Sequence, residues 1–261
     1  MLSNSSKRKA SSLKGLQKVG FHSNLFYDVV TSGELAWKIL SLRKRPYMTY
    51  SKSPKVFVIG NGDDDEEYIK SSGCEFATPE NADFVLARGT FSVHNGNQRI
   101  FYKRADELMT DIDSWLKRCQ ERKLPMIVSN PDFHRPGSNS PMPGQIGKKY
   151  SLVADCQVEY IGKPYSAVYD ACFASFALNN SSFTNPEDFN KRTVAIGDSL
   201  HHDILGAINA GIDSVWTANG VHCSEIGTAE GSAVMPKSEI VEKFLIKENI
   251  FPTNIMPMFK W

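Results

Sequence analysis

The feature that most constrains this chain is the run Thr193-Val194-Ala195-Ile196-Gly197-Asp198, continuing as Ser199-Leu200-His201-His202-Asp203-Ile204-Leu205-Gly206-Ala207-Ile208-Asn209-Ala210-Gly211. The first half is an apolar strand that breaks at Gly197-Asp198. The second half places Ile204, Leu205 and Ile208 on one side of a helix that stops at Gly211, a natural left-handed cap. A short apolar run, Ser214-Val215-Trp216-Thr217, follows directly. Strand, helix and strand at this spacing make a βαβ unit, whose strands run parallel because a helical crossover joins them. Open α/β sheets bind ligands outside the carboxyl ends of their strands. Asp198 stands just past such an end and Asp203 projects from the start of the next helix, so two carboxylates can converge on a hard divalent cation such as Mg2+. The same residues also suit a plainer role, with Asp198 or Ser199 capping the helix and Asp203 favouring its positive end.

Composition sets what surrounds this unit. At 261 residues, 41% hydrophobic and 23% charged, the chain is long enough for one or two globular domains. A net charge of +1 gives no support for a nucleic-acid or membrane-surface partner. No apolar stretch nears the ~18 residues of a membrane span. The cysteines, Cys74, Cys119, Cys156, Cys172 and Cys223, are odd in number and scattered without a CxxC pair. That argues against a disulfide framework or a zinc site and fits a reducing compartment such as the cytoplasm. Residues 1–20 hold no acid and several basic residues, among them Lys7, Arg8, Lys9, Lys14 and Lys18, which is also the composition of a mitochondrial or plastid transit peptide. Leu13, Leu16 and Val19 recur at helical spacing before Gly20, which favours a basic helix continuing into the fold.

Residues 25–32 form a strand or short connector, and Gly33-Glu34 opens a helix through Leu35, Ile39 and Leu42 that ends near Arg43-Lys44-Arg45-Pro46. Residues 55–60 are a buried strand, turned by Asn61-Gly62 into the acidic run Asp63-Asp64-Asp65-Glu66-Glu67. Five acids invite a metal-site reading; acids at a helix N-terminus, favoured by its dipole and facing solvent, are the stronger one. Residues 82–87 and 125–129 are further strands. Between them, residues 104–122 carry a helix with Leu108, Ile112, Trp115, Leu116 and Cys119 on one face, Trp115 belonging to the core. Residues 134–149 hold three prolines and three glycines without periodicity and are expected to be a long loop shaping access to a site. Lys163-Pro164 is expected to open a helix with Val168, Cys172, Phe173 and Phe176 on its apolar face. A polar loop at 179–192 precedes the opening strand, residues 240–244 begin a final helix, and the tail 250–261 suggests no role. Adjacent on a helix, His201 and His202 point in different directions, which suits a solvated helix start better than a metal site.

Short motifs add a resemblance to these patterns. GDSLHHDILGAINAG resembles the fourth motif of the haloacid-dehalogenase-like (HAD) phosphatases, in which a Gly-Asp pair ending a strand and a later Asp bind Mg2+. Ile161-Gly162-Lys163-Pro164 resembles the third motif, whose Lys offsets phosphoryl charge. Ser129-Asn130-Pro131-Asp132 is similar to the Asn-Pro-Asp signature of subclass IIA, the NagD-like enzymes with a large α/β cap. Leu2-Ser3-Asn4-Ser5 resembles the second motif, a strand ending in Ser or Thr that grips phosphate. The resemblance implies an α/β fold: a Rossmann-like HAD core with a parallel sheet at 1–46 and 156–261, and an inserted α/β cap at 47–155. It implies a Mg2+-dependent phosphomonoester phosphatase acting on a small phosphorylated metabolite through an aspartyl-phosphate. The implied residues are Lys163 in catalysis, Ser3, Asn4 and Lys163 on phosphate, Asn130 and Asp132 toward the substrate, and Asp198 and Asp203 on Mg2+. A homo-oligomeric state is left open.

The family's first motif, a strand followed by DxDG that carries the nucleophile, precedes the second and has no counterpart here. Asp63-Asp64-Asp65 follows the wrong strand, and Asp28 lies after the second motif. Without a nucleophile the chain is expected to be inactive, either because Met1 is an internal start or because the chain is a homologue that binds phosphate and metal without turnover. The family's first-motif strand lies between those of the second and fourth motifs, so its loss would unpair buried backbone groups, each at a cost of roughly 1–3 kcal/mol.

Overall fold

Parallel strands alternating with helices carry most of the chain, which the computed structural model describes at residues 1–49, 51–135, 137–178 and 185–259. It divides into two compact units, Met1–Gly162 and Lys163–Trp261.

The first unit opens on strand β1 (Leu2–Ser3), which pairs in parallel with β2 (Val30–Thr31), Ser3 opposite Thr31. Helix α1 (Lys9–Lys18) lies between them where Leu13 and Leu16 predict it, but none of its residues is fully buried. Helix α2 (Ser32–Ser41) starts on a Thr31 cap, whose Oγ1 accepts the Glu34 amide at 3.0 Å.

The larger sheet follows. Its strands are β3 (Lys55–Gly60), β4 (Glu75–Phe76), β5 (Phe84–Ala87), β6 (Ser92–Asn95), β7 (Gln98–Phe101), β8 (Met126–Val128) and β9 (Val158–Tyr160). They lie in the order β7-β6-β3-β5-β8-β9, with β4 also alongside β3. β3, β4, β5, β8 and β9 run parallel, and β6 and β7 form an antiparallel hairpin at the edge. Because side chains alternate along a strand, Phe57 and Ile59 face one cluster and Val56 and Val58 the other. Helices α4 (Ala105–Glu121) and α5 (Pro143–Val153) cover the first cluster with Leu108, Ile112, Leu116, Ile146 and Tyr150. Helix α2 and helix α3 (Asp65–Ser71) cover the second with Ile39, Leu40, Tyr68 and Ile69. Trp115 sits against Phe57, ring centroids 5.7 Å apart, so it is a core side chain as expected.

One sequence expectation changes in this unit. The loop expected over 134–149 is helical from Pro143, which occupies the first turn, where a missing N–H costs nothing. Its glycines serve close packing: a Cβ on Gly147 would lie 2.6 Å from Val128 Cγ2 and 2.8 Å from the Tyr160 ring. The hairpin of β6 and β7 was not anticipated, although its two connecting residues, Gly96 and Asn97, are a hairpin pair; Gly96 has φ +63°.

The second unit holds helices α6 (Ala167–Ala177) and α7 (Pro186–Lys191), then strand β10 (Val194–Gly197), helix α8 (Leu205–Ala210), strand β11 (Asp213–Thr217), helix α9 (Ser238–Glu248) and strand β12 (Asn254–Met256). β10, β11 and β12 form a parallel sheet in that order, so the βαβ unit is as the sequence predicts, with Gly211 capping α8 at φ +67°. The tail, which suggested no role, supplies β12. Among the described residues no strand pairs with the other edge of β10, where Val194 and Ile196 are 52% and 43% exposed. Leu200, Ile204, Trp216, Phe244 and Leu245 form this unit's core. Helix α6 begins at Ala167, not at Lys163-Pro164, which is joined by a cis peptide. The polar loop expected at 179–192 lies partly outside the described residues.

Candidate functional site

In the first unit the segment from Ser3 to Lys7 crosses the amino end of α2 with its carbonyls tied back. The Ser3 carbonyl accepts Ser32 Oγ at 3.3 Å, Ser5 accepts the Gly33 amide at 2.9 Å, Ser6 accepts Arg88 Nη2 at 3.3 Å, and Lys7 accepts Thr31 Oγ1 at 2.8 Å. Gly33 makes this approach feasible, since a Cβ there would lie 2.1 Å from the Ser6 oxygen. In a planar trans peptide the N–H points opposite to the carbonyl, so carbonyls bound toward the protein turn amides away from it. The Ser6 amide has no acceptor among the described residues. The Ser5 and Lys7 amides are taken by Ser3 Oγ at 3.2 Å and Ser5 Oγ at 3.3 Å, so it is the Ser6 amide that is left to suit an anion.

Asn4 and Asp132, both singled out from sequence, meet directly: Asn4 Nδ2 donates to Asp132 Oδ1 at 2.8 Å. Asn130 Oδ1 accepts the Asp132 amide at 2.9 Å, an Asx turn that sets the direction of the Asp132 side chain. Ser32, which the sequence motifs did not single out for the site, donates its hydroxyl to Asn4 Oδ1 at 3.4 Å. Gly162 closes the group at φ +143°, where a Cβ would lie 2.5 Å from Pro131 Cδ and 2.8 Å from Asn4 Oδ1. Asn61, Arg88, Asn130 and Gly162 follow the carboxyl ends of β3, β5, β8 and β9, the edge at which parallel sheets hold ligands.

In the second unit the turn after β10 is built around its two acids. Asp203 Oδ2 accepts the Ser199 amide at 3.1 Å, and its Oδ1 pairs with Lys163 Nζ at 2.5 Å, both side chains being mostly buried. A Cβ on Gly197 would lie 2.3 Å from Asp203 Cγ, so glycine is what lets the acid fold back over the strand end. Asp198 Oδ2 accepts the Val221 amide at 3.1 Å and packs over Gly220, where a Cβ would lie 2.3 Å from Asp198 Cβ. Trp216 Nε1 donates to the Asp198 carbonyl at 2.9 Å, and His222 Nε2 accepts the Leu200 amide at 3.2 Å. Leu200–Ile204 form a π-helical turn, a widening often found at functional sites. His201 pairs with Glu248 at 3.3 Å and His202 Nδ1 lies 3.0 Å from Ser199 Oγ, so the two histidines do diverge. Asp198 and Asp203 offer the hard oxygen donors Mg2+ takes, and a cation bound through two carboxylates fills its remaining positions with water and phosphate. Among the described residues no three His, Cys, Asp or Glu side chains gather as a metal cluster.

In the acidic run 63–67, Asp63, Glu66 and Glu67 are exposed as expected, and Asp65 is the correction. Asp65 is fully buried instead of facing solvent, bonded to Arg88, Ser92 Oγ at 2.7 Å and the Gly62 amide at 2.8 Å, with His94 Nε2 at 3.1 Å. Asp64 shares Arg88 at 2.8 Å, and Arg88 itself is fully buried. Neither Arg88 nor His94 had a periodic signal, because a buried ion pair depends on residues far apart in sequence.

The fold has counterparts among solved structures. It aligns with a haloacid dehalogenase-like family hydrolase from Brucella suis at 20% identity, covering 98% of this chain and 81% of that one with a TM-score of 0.71. A p-nitrophenyl phosphatase from Archaeoglobus fulgidus aligns at 18% identity over 98% and 81% with a TM-score of 0.64. A thermostable double-mutant NPPase from Geobacillus stearothermophilus aligns at 19% identity over 99% and 84% with a TM-score of 0.58. None of the curated proteins matches the chain in sequence. Residues 160–243, which include Lys163, Asp198 and Asp203, match the HAD-hydrolase-like family model. Residues 160–243 thus match that family's model, and the chain shares the α/β fold of these solved hydrolases and phosphatases.

Proposed function

We propose that these residues supply the phosphate- and Mg2+-binding groups of a phosphomonoester phosphatase acting on a small phosphorylated metabolite. The observation that carries the reading is the Asp203–Lys163 pair at the end of β10, in which one carboxylate is held by a backbone amide and by the ammonium of the third-motif lysine. Lys163 stands ready to offset phosphoryl charge once Asp203 turns to a cation. Mg2+ held by Asp198 and Asp203 would neutralise charge on the transferring phosphoryl group. Ser3 and Asn4, with the outward Ser6 amide, bind the phosphate oxygens, and Asn130 and Asp132 face the rest of the substrate. Catalysis by such groups is positioning and charge compensation, and hydrolysis through an aspartyl-phosphate also needs a nucleophilic carboxylate. Asp198 and Asp203 are given to the metal in this reading, so neither is the nucleophile.

The 261-residue chain is therefore expected to bind Mg2+ and inorganic phosphate in calorimetry and to leave p-nitrophenyl phosphate intact. A form that also carries a strand ending in DxDG ahead of Ser3 is expected to hydrolyse it with Mg2+, and Asp198→Ala to abolish that activity. Binding without turnover by both forms would make the protein a non-catalytic phosphate and metal binder. An absence of Mg2+ and phosphate binding in both would end the proposal.

A further inference from the structure

We propose that Arg88 is a positioning residue that fixes the backbone of the segment from Ser3 to Lys7, an inference that rests on the phosphate-binding role given to that segment above. Arg88 follows β5 and is fully buried. A cation removed from water needs its charge paired, and an apolar side chain would fill the same volume without that demand; in Arg88 both terminal nitrogens are engaged and Nε alone is left without a partner. Here the engagement is directional. The guanidinium pairs with Asp65 and with both Asp64 oxygens, at 2.8 Å and 3.1 Å, lies 4.1 Å over the Tyr68 ring, and points Nη2 at the Ser6 carbonyl at 3.3 Å. The planar fork cannot turn toward one partner without leaving another.

Asp65 extends the same control. It accepts the Asn61 amide at 3.0 Å, and Asn61 Nδ2 donates to Ser6 Oγ at 2.9 Å. Both Ser6 oxygens are thus held by residues that Asp65 anchors. Tyr68, under the guanidinium, donates its hydroxyl to the Gly33 carbonyl at 2.6 Å, and the Gly33 amide in turn holds the Ser5 carbonyl at 2.9 Å. The peptides on either side of the Ser6 α-carbon are therefore both fixed, one through Gly33 and one through Arg88. With both planes set, φ and ψ of Ser6 have no freedom, and its N–H keeps one direction. A phosphate site needs that preorganisation, because amides that must reorient to bind contribute little net attraction.

The test uses the full 261-residue chain and two variants. Arg88→Lys keeps the charge and loses the fork; Arg88→Met with Asp65→Asn removes the two fully buried charges together and leaves Asp64, whose side chain is 30% exposed, to be hydrated. Hydrogen exchange of the Ser5, Lys7 and Gly33 amides is compared with that of Val58 and Leu86 in the same molecule. Inorganic phosphate is then titrated against amide shifts. Both variants are expected to speed exchange in the loop by about tenfold relative to the sheet and to weaken phosphate binding by a similar factor. Equal acceleration of loop and sheet would show that Arg88 only stabilises the unit and would overturn the inference, as would an unchanged loop in Arg88→Lys. Wild-type protein that shows no phosphate-dependent shifts would instead overturn the proposed function, while the exchange ratio would still decide whether Arg88 fixes the loop.

Discussion

Asp65 shows what burial does to a single acid. Loss of water alone would raise its pKa, but the His94 hydrogen bond, the Arg88 charge, the Ser92 hydroxyl and the Gly62 amide together hold the carboxyl well below its ordinary value. A carboxyl depressed in the folded state contributes stability that is complete above the unfolded value, roughly 4, and is lost as pH falls toward the folded one. The urea midpoint is therefore expected to drop between about pH 4 and pH 2, and Asp65→Asn, less stable at neutral pH, is expected to show a shallower drop over that range. Equal slopes in the two proteins would place the acid sensitivity elsewhere. The Asp203–Lys163 pair offers a second test at this scale. Asp203→Asn removes one of the two proposed Mg2+ carboxylates, and at least tenfold weaker Mg2+ binding by calorimetry is expected, since ion affinity of this kind depends on ligand charge.

Among the elements, α2 and the strands around it depend on backbone meeting backbone. Gly33 lies where a Cβ would be 2.1 Å from the Ser6 oxygen and 2.6 Å from the Lys7 oxygen. Gly33→Ala is therefore expected to separate the two segments at a cost of about 1–3 kcal/mol, read as a lower thermal midpoint together with faster exchange at Ser5. The same substitution at Gly15, with open space around its Cβ position in the middle of α1, is expected to be neutral or slightly stabilising. Helix α5 follows the same physics on the other face of the sheet, where Gly147 lets it settle against Val128 and Tyr160. Its glycines resemble loop punctuation in sequence because the neighbours that require them lie on strands far along the chain.

At the level of the whole molecule, the first unit has a core on each face of its large sheet and the second has one core around Trp216. Separate cores predict separate cooperative transitions. In urea, amides of β3, β5 and β8 are expected to lose exchange protection at a different midpoint from those of β10 and β11; coincident midpoints would show one folding unit. Among the described residues no helix is long and apolar enough to cross a membrane. By itself the sequence determined the parallel βαβ unit at residues 194–217, the α/β alternation and the amphipathic face of α4, and its short motifs singled out Asn4, Asp132, Lys163, Asp198 and Asp203 as candidates. These are local, because period, cap and glycine stop are written within a few neighbouring residues. Only the tertiary structure decided that Asp65 is buried, that Arg88 and Asn61 hold Ser6, that the tail supplies β12, and that Trp216 and Val221 brace Asp198. Those contacts join distant segments, and whether a buried charge finds its partner depends on how the strands are ordered in the sheet, which no local pattern encodes.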